Sequence, residues 1–455
     1  MTRAFKLGLA LTIVCGGSVA ATDWPQWRGP RGTGATDEKN LPVKWNATEN
    51  VAWTAALGGL GVSSPIASAD RVFVTSQIGT GVRRPGNHPR LAQGADPGTT
   101  GERALGAGPG GQADDRTFFV VEAFHRTDGR RLWQHRVEAS GPLPGVHEKH
   151  NLASPSPVTD GQMVYAWFGT GQIVALDMSG KVVWERHLGK EIGPLHINWG
   201  HASSPTLFGD TLLLLCDHTP ASYLLAVDKK TGKERWRADR GKGRKSHTTP
   251  FVVETPTGPE LIVNSSERVD AYDPRSGAFL WHAGGSNQFP IPVPTFHDGV
   301  LYMTRGYRSG PYLAIRPGGR GDISASHVVW EVPTGAPYIS SLVYDAGILY
   351  MASDVGAVSA IDAATGRKIW QERVEGIFTA SPVAGDGKIY FVSETGQTIV
   401  FKAGREPEIL ARNDIGERLM ASPAISNGAI YLRSDGRLFC IRNAAKSAPS
   451  SRRGR

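Results

Sequence analysis

The sequence predicts an all-β fold, an eight-bladed β-propeller of four-stranded antiparallel blades with an N-terminal strand closing the last blade. Three observations carry this expectation. One unit recurs eight times, at spacings of 40 to 48 residues apart from one long first gap. Most units end in a tryptophan four residues after a turn glycine. The last unit lacks that ending, and a matching strand stands near the N-terminus instead. Periods of this size mark stacked or radial repeats.

Each unit reads Ser-Pro, a short apolar strand, a Gly or Asp turn, a strand ending in an aromatic residue, a strand ending near Asp, and then Thr-Gly-x-x-x-Trp. The anchors are Pro65, Pro157, Pro205, Pro250, Pro294, Leu342, Pro382 and Pro423. Eight residues beyond seven of them stand Phe73, Tyr165, Leu213, Tyr302, Tyr350, Tyr390 and Tyr431. The unit at Pro250 departs because Thr255–Glu260 lengthens its turn. The closing tryptophans are Trp133, Trp184, Trp236, Trp281 and Trp370, with Trp330 after a longer turn. Each is expected to fill the wide space between adjacent outer sheets. The turn glycine supplies the positive φ that a tight hairpin needs. The segment Asn50-Val-Ala-Trp53-Thr-Ala-Ala56 is expected to complete the eighth blade and so remove a sheet edge.

Composition agrees. Fifty-six Gly and thirty Pro favour many short strands and turns over long helices. The net charge of +8 does not point to nucleic acid. Arg3 and Lys6 near the start, with Arg442, Lys446, Arg452, Arg453 and Arg455 at the end, supply seven of those charges. No clustered basic face is left for the body of the chain. Residues 1–21 read as a cleavable signal peptide: a basic start, an apolar run from Leu7 to Val14, then Ser18, Ala20 and Ala21. No later stretch is apolar enough for a transmembrane segment. Val14 before Cys15 argues against lipidation. The expected location is therefore periplasmic or secreted. Residues 22–441 form the propeller, 79–116 a loop insertion in blade 1, and 442–455 a basic disordered tail. The mature chain keeps Cys216 and Cys440, too few and too far apart for a disulfide scaffold.

The alternation of Ser-Pro strands with segments such as Ala175-Leu-Asp177 to Trp184, Ala226-Val-Asp228 to Trp236 and Ala360-Ile-Asp362 to Trp370 resembles PQQ-like (pyrroloquinoline-quinone-type) propeller repeats. The opening Asp23-Trp24-Pro25-Gln26-Trp27-Arg28-Gly29-Pro30 resembles the start of exported bacterial PQQ-like propellers. Two better-understood groups share that fold. Quinoprotein alcohol dehydrogenases bind PQQ and calcium, and a vicinal disulfide is among their hallmarks; this chain has no adjacent cysteines. The chain is also similar to the propeller protein of the outer-membrane β-barrel assembly machinery, a lipid-anchored scaffold.

Strand parity puts the loops entering each blade on one face, together with the turns between its second and third strands. Unusual residues collect there. His147, His150 and Asn151 precede blade 2. His196, Asn198, Trp199 and His201 precede blade 3. Lys242, Arg244, Lys245 and His247 precede blade 4. Asn287, Gln288 and Phe289 precede blade 5, which adds Arg305, Tyr307 and Arg308. From these, the expected ligand-binding set at the channel mouth is His150, Asn151, Asn198, Trp199, His201, His247, Gln288, Arg305 and Tyr307. His150, His201 and His247 stand at equivalent positions in neighbouring units. They admit three readings: a polar channel lining, a transition-metal triad, or a site for an organic anion or sugar. Glu148 and Glu191 are the sparse carboxylates available for calcium. No Ser-His-Asp order, Walker loop or dinucleotide fingerprint stands at a credible place. The insertion admits a lid over the mouth or a plain surface loop.

No catalytic residue and no metal site are expected. The function expected is an exported, non-catalytic binding or scaffold propeller, monomeric, with a small molecule or protein as partner and neither nucleic acid nor a membrane span. The alternative is a PQQ-dependent oxidoreductase with PQQ and calcium as cofactors.

Overall fold

A computed structural model describes residues 23–79, 116–147, 149–307 and 309–444. The leader, most of the 79–116 insertion and most of the tail lie outside them, as do Glu148 and Arg308. Eight sheets form the blades, each with four antiparallel strands termed a to d from the channel outward. Blade 1 runs through Ile66–Ser68, Arg71–Ile78, Phe118–His125 and Arg131–Glu138. Blade 8 takes Ala424–Ser426, Ala429–Arg433 and Arg437–Arg442 from the C-terminal end. Its outer strand is Val51–Ala56, antiparallel to Arg437–Arg442 with Trp53 opposite Cys440. Strands b and c are buried almost throughout, so apolar residues run continuously there. Strands d alternate, as half-exposed strands do.

The tryptophans do more than fill space. At five junctions the indole lies flat against the turn glycine of the next blade: Trp53 on Gly129, Trp133 on Gly180, Trp184 on Gly232, Trp236 on Gly277 and Trp330 on Gly366. Each indole N–H donates to a carbonyl of that same turn, as Trp53 does to Arg126 at 2.9 Å and Trp184 to Lys229 at 2.8 Å. The glycine is therefore required twice. Gly232 has φ of +70°, and a Cβ there would stand 2.7 Å from the Trp184 ring. Gly232→Ala is expected to cost roughly 1–2 kcal/mol for the left-handed backbone and about 1–3 kcal/mol for overpacking. Urea unfolding measures it; a loss below about 0.5 kcal/mol would contradict the docking.

Three blades depart from the rule. Trp370 of blade 6 donates to the Gly404 carbonyl at 3.1 Å, but no turn glycine lies against its ring. The long turn of blade 5 folds back, so that Gly321–Asp322 pairs in parallel with Phe279–Ala283 of blade 4. Trp281 then donates to Glu260 at 2.7 Å instead of to a turn carbonyl. Blade 7 has Ala411 where other blades carry tryptophan. Trp45 of the N-terminal segment takes that place, stacked on Tyr390 at 6.3 Å. Its backbone N–H donates to Asn413 at 2.9 Å.

The N-terminal segment also crosses the channel on the face of the a–b turns. Trp24 pairs with Ala67 of blade 1, and Thr159 of blade 2 donates to the Pro25 carbonyl at 2.9 Å. Gly32 lies against Phe251 of blade 4. The Arg28 guanidinium donates to the Leu342 carbonyl of blade 6, and burial lowers its pKa to about 9. Ala35 pairs with Ala384 of blade 7, and the Trp27 indole reaches the Ser422 hydroxyl of blade 8 at 3.4 Å. One segment thus ties six blades together and obstructs one end of the channel.

Candidate functional site

The repeated Ser-Pro has its reason in the channel. The backbone N–H of Ser64 donates to the Ser156 hydroxyl at 2.8 Å, Ser156 to Ser204 at 2.9 Å, and Ser204 to Thr249 at 3.0 Å. Val293 donates to Ser341 at 3.1 Å, Ser341 to Ser381 and Ser381 to Ser422, both at 3.0 Å. This belt links blades 1 to 4 in one run and blades 5 to 8 in another, just above the N-terminal segment. Proline follows in seven of the eight units and has no N–H that would compete.

Above the belt is a cavity of about 190 Å³. Trp27 and the belt hydroxyls line its floor, and Ile291, Ile339, Tyr338, Met420 and Trp199 line apolar parts of its wall. Trp27 also lines a second cavity, of about 250 Å³, on the a–b turn side. It is therefore a partition between the two.

The expected residues separate into groups. His150 and His247 line the cavity. The His150 ring donates to the Trp199 carbonyl, and His247 bonds the adjacent Gly200 carbonyl. The two imidazoles hold the loop before blade 3 from both sides. Trp199 needs that support, because its φ is +68°, a strained value for a bulky side chain. Its ring meets Phe289 edge-on at 4.4 Å, Phe289 meets Tyr307 at 6.0 Å, and Tyr307 meets Tyr338 at 5.4 Å. These four aromatics form a row whose ends, Trp199 and Tyr338, line the cavity, whereas Phe289 and Tyr307, which link them, are not among the lining residues.

His201 packs against Trp167, with ring centroids 4.1 Å apart and planes tilted by 52°, inside blade packing. Asn151 is buried, donating to the Leu60 carbonyl at 2.9 Å and accepting from Ala153 at 3.0 Å. Arg305 is buried between blades 4 and 5, where it donates to Asn264 and to the carbonyls of Ser265 and Gly285. Asn198 is half-buried and Gln288 exposed. None of these five is among the cavity-lining residues. Among the described residues, no three His, Cys, Asp or Glu side chains gather as metal ligands. The imidazoles at 150 and 247 bond carbonyls instead. Glu191 is held on the surface by Arg186 and the His187 N–H.

Sequence reasoning missed the charged group at the mouth. Lys149 pairs with Glu394 at 2.8 Å, both side chains buried. Thr379 also donates to Glu394. Asp354 accepts from the Tyr338 N–H at 2.9 Å, and burial pushes its pKa up to about 6. A signal existed: Ser353-Asp354-x-Gly356 and Ser393-Glu394-x-Gly396 place an acid at the same turn of successive units.

Burial pushes the pKa of His201 and of His247 down to about 3. An unfolded imidazole titrates near pH 6.5. The unfolded chain therefore takes up protons that the folded chain refuses, and stability falls as pH drops from about 6.5 toward 3. Asp354 acts in the opposite direction between about pH 6 and 4, since its folded carboxyl takes a proton first. Two imidazoles outweigh one carboxyl. The urea midpoint is expected to be lower at pH 5 than at pH 7, with a smaller drop in His247→Gln. A midpoint that rises on acidification would contradict this balance.

Residues 117–289 and 322–405, more than half of the chain, match the family model described as outer membrane protein assembly factor BamB. The chain belongs to this family. It is 24% identical over 295 residues to tetrathionate hydrolase of Acidithiobacillus ferrooxidans, covering 61% of this chain and 54% of that one. It is 21% identical to BamB of Yersinia pestis, covering 56% and 61%, and 23% identical to BamB of Bordetella pertussis, covering 62% and 74%. The match thus spans 54% and 61% of the length of the first two relatives. Among solved structures, BamB of Moraxella catarrhalis superposes with a TM-score of 0.55 at 15% identity, covering 87% of this chain and 98% of that one. A quinohemoprotein alcohol dehydrogenase of Pseudomonas putida HK5 gives 0.61 at 12% identity, covering 95% and 82%. At such identities the likeness is one of fold.

Proposed function

We propose that this chain is an exported scaffold propeller of the BamB family that holds a partner at the mouth framed by Trp199, Phe289, Tyr307 and Tyr338. The observation that carries the reading is the asymmetry of the channel. The N-terminal segment obstructs one end, and the other opens into a cavity rimmed by an aromatic row on a rigid belt. Aromatic residues around a preformed hollow are the anchors of protein interfaces. The family description names an assembly factor of outer membrane proteins, so the partner class is a protein of that machinery. Export through the leader in residues 1–21 and action as a monomer belong to the proposal. Among the described residues, no helix is long and apolar enough to cross a membrane.

A quinone cofactor with calcium is the second reading, raised by the dehydrogenase fold. The residues at the mouth do not fit it. PQQ is a tricarboxylate and needs several cations. Among the described residues, the one lysine lining the cavity, Lys149, is already paired with Glu394. Burial lowers the pKa of His150 and His247, which keeps both imidazoles uncharged. Calcium requires a set of oxygen ligands, and the described residues gather no acidic cluster.

Photo-crosslinking in cells tests the scaffold reading. A crosslinking side chain at Gln288, exposed on the rim, is expected to capture a discrete protein partner. The same group at Val183, exposed on the outer wall of blade 2, is expected to capture none. Equal capture from both positions, or none from Gln288, would overturn the proposal.

A further inference from the structure

The belt leaves part of its hydrogen-bonding capacity unused. Ser64, Ser156, Ser204, Thr249, Ser381 and Ser422 all line the cavity above it. The side-chain oxygens of the last five each accept one backbone N–H from the preceding blade. Among the described residues, none of the six, Ser64 included, donates its own O–H to an acceptor of the chain. A hydroxyl that accepts one bond can still donate one and accept another. The cavity floor is thus bordered by groups that offer both a proton and a lone pair.

Trp27 supplies the flat part of that floor. Its indole N–H reaches the Ser422 hydroxyl at 3.4 Å, and a cavity lies on either side of the residue. With its N–H edge on the belt, the indole lies across the channel and offers an apolar aromatic face to the mouth. The charges around the cavity are balanced. Lys149 pairs with Glu394. The His147 Nδ1 accepts the Lys149 N–H at 3.1 Å, and burial lowers the pKa of His150 and His247, so all three imidazoles are uncharged. Among the described residues, no carboxylate lines the cavity. A charged ligand would therefore be buried without a counter-charge, which is costly. A neutral ligand fits, with one apolar face for the indole and a periphery of groups that both donate and accept.

We propose that the mouth cavity binds a neutral cyclic polyol of the hexopyranose class. The C–H face of the sugar ring lies on the Trp27 indole, and its hydroxyls exchange hydrogen bonds with Ser156, Ser204 and Thr249. Ile339 and Met420 confine it from the apolar wall. At about 190 Å³ the cavity lies below the range of drug-sized sites and suits a single ring. This inference goes beyond the scaffold reading, since it concerns a small ligand beneath the aromatic rim and stands with or without a protein above it.

Saturation-transfer NMR titration of the full-length protein with methyl β-D-glucopyranoside, cyclohexanol and D-glucuronate tests it. The glucoside is expected to bind saturably, with saturation strongest at its ring C–H protons. It is expected to bind about tenfold more tightly than cyclohexanol, a factor in the range of two neutral hydrogen bonds. Glucuronate, which carries a charge on the same ring, is expected not to bind. Ser156 lines this cavity and not the second one. Ser156→Ala is therefore expected to weaken the glucoside about fivefold, in the range of one hydrogen bond, and to leave cyclohexanol unchanged. The ordering of the three probes on the unaltered protein decides the matter even if that variant misfolds. No saturable binding of the glucoside, equal binding of glucoside and cyclohexanol, glucuronate binding as tight as the glucoside, or an unchanged glucoside affinity in folded Ser156→Ala would overturn the site. Partner capture from Gln288 without glucoside binding would sink this site alone. Glucoside binding without partner capture would sink the scaffold reading instead.

Discussion

Trp53→Ala is expected to cost about 3–5 kcal/mol of unfolding free energy, the range for emptying a buried tryptophan site. Trp53 is 7% exposed, packs against Tyr431 at 6.0 Å, lies on Gly129 and donates to the Arg126 carbonyl. It thus joins the N-terminal strand, the C-terminal blade and blade 1. Its loss weakens the single junction at which the two ends of the chain meet. Urea unfolding with Val183→Ala as a surface control gives the contrast, since the control is expected to stay within about 0.5 kcal/mol. Equal midpoints for the two variants would mean that closure depends on other contacts.

Arg240→Met is expected to have an effect of similar size, about 3–5 kcal/mol, because it strands buried charge. The Arg240 guanidinium donates to both oxygens of Asp217, at 2.7 and 3.0 Å, and to the Tyr272 hydroxyl at 2.6 Å. It also lies 3.3 Å from Asp270. Asp270 retains Arg244 and Arg268 when Arg240 is gone, whereas Asp217 keeps the Ser265 hydroxyl at 3.2 Å. The double variant Arg240→Met with Asp217→Leu is therefore expected to regain much of the loss, as apolar replacement of a whole buried pair often does. A double variant no more stable than the single one would show that the arginine acts by packing against Tyr272 rather than by pairing.

The blades were legible because each imposes the same local demands. Anchor, aromatic residue, turn glycine and tryptophan recur at fixed offsets, and strand parity then places every loop on a face. Trp53 was legible for the same reason, as an ending without a unit. Trp45 was not, because it serves blade 7 from a segment with no repeat of its own. The reach of residues 23–36 across the channel was equally hidden, since its contacts are with blades far away in sequence.

At the mouth, residue type drew attention to the histidines. Rarity marks a residue without saying what it bonds. His150 and His247 turned out to brace Trp199, while Arg305 and Asn151 serve as buried internal ties. The acids at 354 and 394 look ordinary singly and become distinctive only when units are superposed. Lys149 stood between two histidines in a loop already singled out, yet its partner is 245 residues away.

Hydrogen exchange of the chain bound to a captured partner tests whether the mouth is the face that holds it. Slowed exchange is expected in the loops around Lys149, Trp199, Phe289 and Tyr338, with the turns at Gly161 and Gly387 and the segment 23–36 unchanged. Slowed exchange confined to those turns and that segment, with the mouth loops unaffected, would contradict it.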